Sequence, residues 1–129
     1  MAGVSPERKK ILLVDDDELH LDLAGMVLSD EYDIYKAKSG KEALLHIYKG
    51  LVPDLIMLDL LMPNMDGWDI FNRIKLITLL YDIPIVFLTS VTEVEEQKRA
   101  FEKGAADYIM KPINNDDLKN RIKKAIKKL

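Results

Sequence analysis

Leu55-Ile56-Met57-Leu58-Asp59 is an unbroken apolar run closed by a carboxylate. A run of this length, bounded by polar and turn residues, reads as a strand buried on both faces, as in a parallel sheet. The same ending recurs along the chain. Ile11–Val14 is followed by Asp15-Asp16, Ile85–Leu88 by Thr89, and Tyr108–Met110 by Lys111. Open parallel sheets bind their ligands beyond the carboxyl ends of their strands. Four such runs aim acids, a hydroxyl and an ammonium into one pocket.

Helical spacing fills the intervals between strands. After Ile11–Val14, Asp17 or Asp16 caps a helix with Leu19, Leu23, Met26 and Val27 on its apolar face, ending near Ser29-Asp30. Tyr32–Ala37 reads as a second strand. Ser39-Gly40 opens a helix over Lys41–Tyr48 with Ala43, Leu44 and Ile47 inward and Gly50 as its stop. Asn64-Met65-Asp66-Gly67 is turn chemistry, and Ile70, Phe71, Ile74, Ile77 and Thr78 make a broad face on the helix that follows. Pro84–Leu88 is the fourth strand. Thr92 or Ser90 begins an acidic helix with Val94, Ala100 and Phe101 inward, closed at Gly104; Tyr108–Met110 is the fifth strand and Asp116–Leu129 the last helix. Strict strand-helix alternation predicts an α/β fold, a parallel sheet with helices on both faces. Residues 1–9, with Gly3, Ser5, Pro6 and a charged stretch, read as a flexible leader, and residues 10–129 as one domain.

A chain of 129 residues, 48% hydrophobic, suits a single packed core. Its 22 acidic and 19 basic residues leave a net charge of -3, which argues against direct nucleic-acid binding. Lys119, Arg121, Lys123, Lys124, Lys127 and Lys128 fall around most of the last helix, opposite the stripe of Ile122, Ala125, Ile126 and Leu129, and read as a solvated face. Without cysteine there are no disulfides, thiolate metal sites or Cys nucleophile. No segment reads as a membrane span, and Met1–Lys10 is polar where a secretory signal is apolar. The expected location is the cytoplasm.

Asp15, Asp16 and Asp17 repel one another unless a positive charge is near. With Asp59 from another strand, Asp15 and Asp16 suggest a hard divalent cation, with Asp17 left to start the helix. Magnesium (Mg2+) is favoured because it takes few protein ligands and keeps waters that a phosphate can displace. Asp59 ends the most buried strand, where an unpaired carboxylate is costly. Beside a metal it can act as a nucleophile toward phosphorus, giving an acyl phosphate. Thr89 and Ser90 offer a neutral donor, and Lys111 a point charge. The Lys111-Pro112 bond is a candidate for the cis form.

The set Val14-Asp15-Asp16, Asp59-Leu60-Leu61-Met62-Pro63-Asn64-Met65-Asp66-Gly67, Leu88-Thr89-Ser90 and Gly104-Ala105-Ala106-Asp107-Tyr108-Ile109-Met110-Lys111-Pro112 resembles the receiver domain of two-component response regulators. That resemblance runs from about Lys10 to the end of the chain and implies the flavodoxin-like, five-stranded sheet of order 2-1-3-4-5. It implies a phosphorelay switch that catalyses only its own phosphorylation and dephosphorylation. Asp59 is then the phosphoacceptor, and a histidine kinase or phosphotransfer protein is the donor. Asp16 and Asp59 ligate magnesium directly, Asp15 acts mainly through water, and the backbone carbonyl of Leu61 completes the protein ligands. Lys111 and Thr89 contact the phosphoryl group, and Tyr108 is the switch aromatic that turns inward when Thr89 moves.

Leu61 and Val91 stand where receivers vary beside the attacking water. Both are apolar, and a long-lived phosphorylated form is expected. Asp107 and Arg121 match one charge pair used for dimerisation by transcription-factor receivers, while Gln97 replaces the usual base opposite Asp117. A monomer or weak dimer is expected, with an output partner or domain that the sequence leaves open. The main alternative is an aspartate-nucleophile phosphatase of the haloacid dehalogenase type using Asp15. A phosphorylation-independent module of the same fold and a flavin site fit the acids, Thr89 and Lys111 less well.

Overall fold

The computed structural model describes residues 8–61, 67–78 and 81–127. The turn at Asn64-Met65-Asp66, most of the leader and the last two residues lie outside that description. The chain runs β1 (Lys10–Val14), α1 (Glu18–Leu28), β2 (Asp33–Ala37), α2 (Gly40–Tyr48), β3 (Leu55–Leu58), α3 (Gly67–Thr78), β4 (Ile85–Thr89), α4 (Val94–Glu102), β5 (Asp107–Met110) and α5 (Asn115–Lys127). All strand pairs are parallel, and the order is β2-β1-β3-β4-β5, as the resemblance implies.

The apolar strands have two buried faces because successive side chains point to opposite sides. Ile11, Leu13, Leu55, Met57, Val86, Leu88 and Ile109 pack with α1 and α5 through Leu21, Ala24, Leu28, Leu118, Ile122 and Ala125. Leu12, Val14, Ile56, Leu58, Ile85, Phe87 and Tyr108 pack with α2, α3 and α4. The order of strand addition reverses between β1 and β3, and because these two strands pair in parallel their carboxyl ends lie side by side. In such sheets this is where a crevice opens.

Local signals start the helices. Asp17 Oδ1 accepts the N–H groups of Leu19 at 3.0 Å and His20 at 3.3 Å, capping α1. Ser39 caps α2 through the Glu42 N–H at 3.1 Å, and Glu42 reaches back to the Lys38 N–H at 3.1 Å. Gly67, the first residue of α3, lies against the chain leaving β3. A Cβ there would fall 2.6 Å from the Leu60 Cα, so only glycine fits without displacement. Arg8, in the expected leader, donates to the carbonyls of Ser29 and Tyr32, so the leader's described end is tied to the turn after α1.

Two helix faces differ from expectation. In α1 the buried residues are Leu21, Ala24, Gly25 and Leu28, while Leu19 is 63% and Met26 73% exposed. Apolar residues surround α1, and both sets obey helical spacing. Periodicity cannot choose between them. Small Ala24 and Gly25 admit close approach, and Gly25 also leaves room for the Lys36 side chain, which crosses it to reach Asp22 at 2.9 Å. In α4 only Ala100 is buried, and Val94 and Phe101 face solvent. Polar contacts help seat this helix: the Trp68 Nε1–H donates to Glu96 at 2.7 Å, and Arg99 stacks 4.4 Å from the same ring. Its N-cap is Glu93, with no side-chain bond, in place of Ser90 or Thr92.

Candidate phosphoryl-transfer site

Each strand-end group continues the sheet by one further hydrogen bond. The Asp15 N–H donates to the Ala37 carbonyl at 3.1 Å, Asp59 to Val14 at 3.0 Å, and Lys111 to Thr89 at 2.9 Å. Their backbones are therefore as rigid as the strands that carry them. The Lys111-Pro112 peptide is cis.

The side chains converge on one ammonium. Lys111 Nζ donates to Asp15 Oδ2 at 2.6 Å and Asp59 Oδ2 at 3.0 Å, with side-chain exposures of 10% for the lysine and 8% and 6% for the acids. The second oxygens are also held, Asp15 Oδ1 by the Asp17 N–H at 2.9 Å and Asp59 Oδ1 by the Leu61 N–H at 3.0 Å. Burying charges this deeply is tolerated because each is paired and hydrogen bonded. Burial pushes the Asp15 carboxyl above its ordinary value, aided by the neighbouring Asp59 charge and opposed by Lys111 and the Asp17 N–H. Burial works against the Lys111 ammonium too, but its bonds to Asp15 and Asp59 prevail and raise its pKa.

Among the described residues, Asp15, Asp59 and Thr89 are the buried polar or charged side chains. Asp15 and Asp59 meet at Lys111, and Thr89 ends the neighbouring strand, its carbonyl accepting the Lys111 N–H. Asp16 is exposed beside them, and one oxygen from each of Asp15, Asp16 and Asp59 can lie within 4.8 Å of the others. Three carboxylates outnumber the single Lys111 ammonium, and oxygen-only donors with one face open to water suit a hard divalent cation. The donor set fits magnesium in charge and type.

Thr89 Oγ1 accepts the Val91 N–H at 3.3 Å, and the Tyr108 hydroxyl donates to the Val91 carbonyl at 2.7 Å. Tyr108 is already turned inward, buried with its ring 6.1 Å from that of Phe87. Burial raises its phenol to about 12, with the charges of Glu96, Glu93 and Asp59 adding to the effect. Ser90 and Leu61 are exposed. Asp107 and Arg121 pair within the chain at 3.2 Å, and Arg121 also meets Asp117 at 3.2 Å, so these charges are satisfied without a second copy.

Sequence reasoning missed His20, whose Nδ1 lies 2.8 Å from Lys111 Nζ. The available signal was a histidine in the first turn after the acids. Its direction is set by the phase of α1, which spacing misjudged.

The family model for the response regulator receiver domain matches residues 11–123. A Vibrio cholerae protein named "Probable cyclic di-GMP phosphodiesterase" is 38% identical over 87% of this chain and 25% of its own length. The DNA-binding dual master transcriptional regulator RpaA of Synechocystis sp. is 33% identical over 92% of this chain and 49% of its own. The chain thus spans half or less of these two relatives. A CheY-like response regulator receiver domain protein from Methanospirillum hungatei JF-1 superposes with a TM-score of 0.84 at 28% identity, covering 95% of this chain and 96% of that one. No helix among the described residues is long and apolar enough to cross a membrane.

Proposed function

The chain belongs to the response regulator receiver domain family, and from that premise we propose that Asp59 is the phosphoacceptor of this signalling switch, with a histidine kinase or phosphotransfer protein as donor. The observation that carries the assignment is Lys111 Nζ held between two buried strand-end carboxylates, Asp15 and Asp59. Both Asp59 oxygens are held, one by Lys111 and the other by the Leu61 N–H.

In the proposed reaction an Asp59 carboxylate oxygen attacks phosphorus. The phosphorus–nitrogen bond to the donor imidazole, which is protonated on its other ring nitrogen, breaks, and the ring keeps the electron pair and leaves as neutral imidazole. Lys111 and the Thr89 hydroxyl bind phosphoryl oxygens. Asp15, Asp16, Asp59 and the Leu61 carbonyl are the proposed magnesium ligands. Bound magnesium neutralises negative charge as it gathers on the transferring group. Hydrolysis reverses the state: a water oxygen bonds to phosphorus, the Asp59 oxygen–phosphorus bond breaks, and the carboxylate returns. Thr89 and Tyr108 carry the change to the surface around Val91, where an output partner or domain reads it. In this reading residues 10–129 form the working unit in the cytoplasm, catalysing only its own phosphorylation and dephosphorylation.

Acetyl phosphate with magnesium, followed by peptide mass spectrometry, tests the assignment. Label on Asp59, lost in Asp59→Asn, is the expected result. Label on Asp15 would instead support the phosphatase chemistry first considered for the Asp15-Asp16-Asp17 run.

A further inference from the structure

His20 is a half-exposed residue of α1 whose ring meets the site from the helix side. Lys111 Nζ lies 2.8 Å from its Nδ1, nearer than the carboxylates of Asp17 at 3.6 Å and Asp15 at 3.8 Å. An ammonium donates and cannot accept, so Nδ1 accepts and the ring proton sits on Nε2. The three hydrogens of Lys111 are then fully used, on Asp15 at 2.6 Å, His20 at 2.8 Å and Asp59 at 3.0 Å. These acceptors are unequal. Carboxylates hold an ammonium by full charge, whereas the imidazole offers only a lone pair and a dipole.

We propose that His20 is a positioning residue that occupies the third Lys111 hydrogen in the unphosphorylated protein and competes with a phosphoryl oxygen on Asp59 for it. The inference rests on the phosphoacceptor reading of Asp59. When acetyl phosphate is the donor, the Asp59 oxygen–phosphorus bond forms as the phosphorus–oxygen bond to acetate breaks, and acetate leaves with the electron pair. Lys111 keeps its contact with the Asp15 carboxylate and turns the hydrogen held by His20 toward the new anion. His20 thereby favours the unphosphorylated state, and phosphorylation of Asp59 must break its bond to Lys111. Water hydrates the freed ring, which is 41% exposed.

The test uses the full chain with His20→Leu and His20→Gln, checked for folding by thermal melts. The rate of labelling by acetyl phosphate and magnesium is followed by intact mass. A single net hydrogen bond of this kind is expected to make His20→Leu acquire its label about three- to tenfold faster than the natural sequence. His20→Gln, whose amide oxygen can take the same hydrogen, is expected within about twofold of the natural sequence. Nitrogen-15 NMR of the unphosphorylated natural protein supplies a reading independent of either variant. It should show the Nε2–H tautomer at His20, with the bias lost in Lys111→Met. Equal or slower labelling of His20→Leu, or an Nδ1–H tautomer, overturns the inference while leaving Asp59 as phosphoacceptor. Absence of label on Asp59 in the natural sequence overturns both.

Discussion

Thr89 and Tyr108 grip the same residue from opposite sides, Thr89 through the Val91 N–H at 3.3 Å and Tyr108 through the Val91 carbonyl at 2.7 Å. A phosphoryl oxygen that draws the Thr89 hydroxyl away loosens one side only. Under the proposed function Val91 would then be the hinge between chemistry at Asp59 and the position of the buried Tyr108 ring.

With beryllofluoride and magnesium, the Val91 amide resonance should therefore shift in the natural sequence and shift much less in Thr89→Val. Tyr108→Phe should keep Asp59 labelling, lose about 1 kcal/mol of stability with its hydroxyl bond, and weaken phosphorylation-dependent partner binding. Unchanged Val91 shifts in Thr89→Val would remove Thr89 from the relay.

Lys111→Met leaves two buried carboxylates without their shared cation. Loss of about 3 kcal/mol is expected in urea melts at neutral pH, as for breaking a buried ion pair from one side. Added magnesium should restore part of it. Acid should narrow the gap, because protonated carboxyls no longer need the ammonium. A variant as stable as the natural sequence would mean that solvent already screens the pair.

Stability should also decline at high pH. Tyr108 and Lys111 both have raised pKa values in the folded state, so their contributions are complete below the unfolded values of 10.0 and 10.5 and vanish as pH climbs through the folded ones. For Tyr108 the window runs from 10.0 to about 12. Tyrosinate absorbance should reveal one phenol titrating at the top of that range and missing from Tyr108→Phe. Asp15 obeys the same sign at the acid end. Its stabilising proton is fully held below 3.8 and is lost as pH rises through its raised value. Magnesium held at Asp15, as proposed, would compete with that proton, so calorimetric affinity should fall on acidification at a pH above 3.8.

Leu61 and Val91 cannot orient a water with their side chains. Leu61→Asn combined with Val91→Glu is expected to speed loss of the phosphoryl group about tenfold by supplying polar groups beside it. An unchanged lifetime would show that neither position borders the attacking water.

Gly67→Ala places a methyl 2.6 Å from the Leu60 Cα and 3.0 Å from the Asp59 carbonyl. Backbone cannot yield as a side-chain tip can, so a loss of about 1–3 kcal/mol is expected in denaturant melts. Slower Asp59 labelling should accompany it, because the displaced segment carries the Leu61 N–H that holds Asp59.

The strands were legible from their own residues, since four apolar runs buried on both faces leave little choice of secondary structure. Their polar terminators, Asp15, Asp59, Thr89 and Lys111, were legible for the same reason: a charge or hydroxyl at a buried strand end needs a partner. Helix orientation was not. Leu19, Leu23 and Met26 make as good a stripe as Leu21, Ala24 and Leu28, and only packing against the sheet selected the second. That selection turned His20 toward Lys111, a contact spanning 91 positions of sequence. Local spacing thus determined which groups reach the pocket from the strands, because alternation and termination are properties of a short segment. Tertiary structure decided which third acceptor Lys111 meets and how Val91 is shared, because those depend on the phase of one element against another.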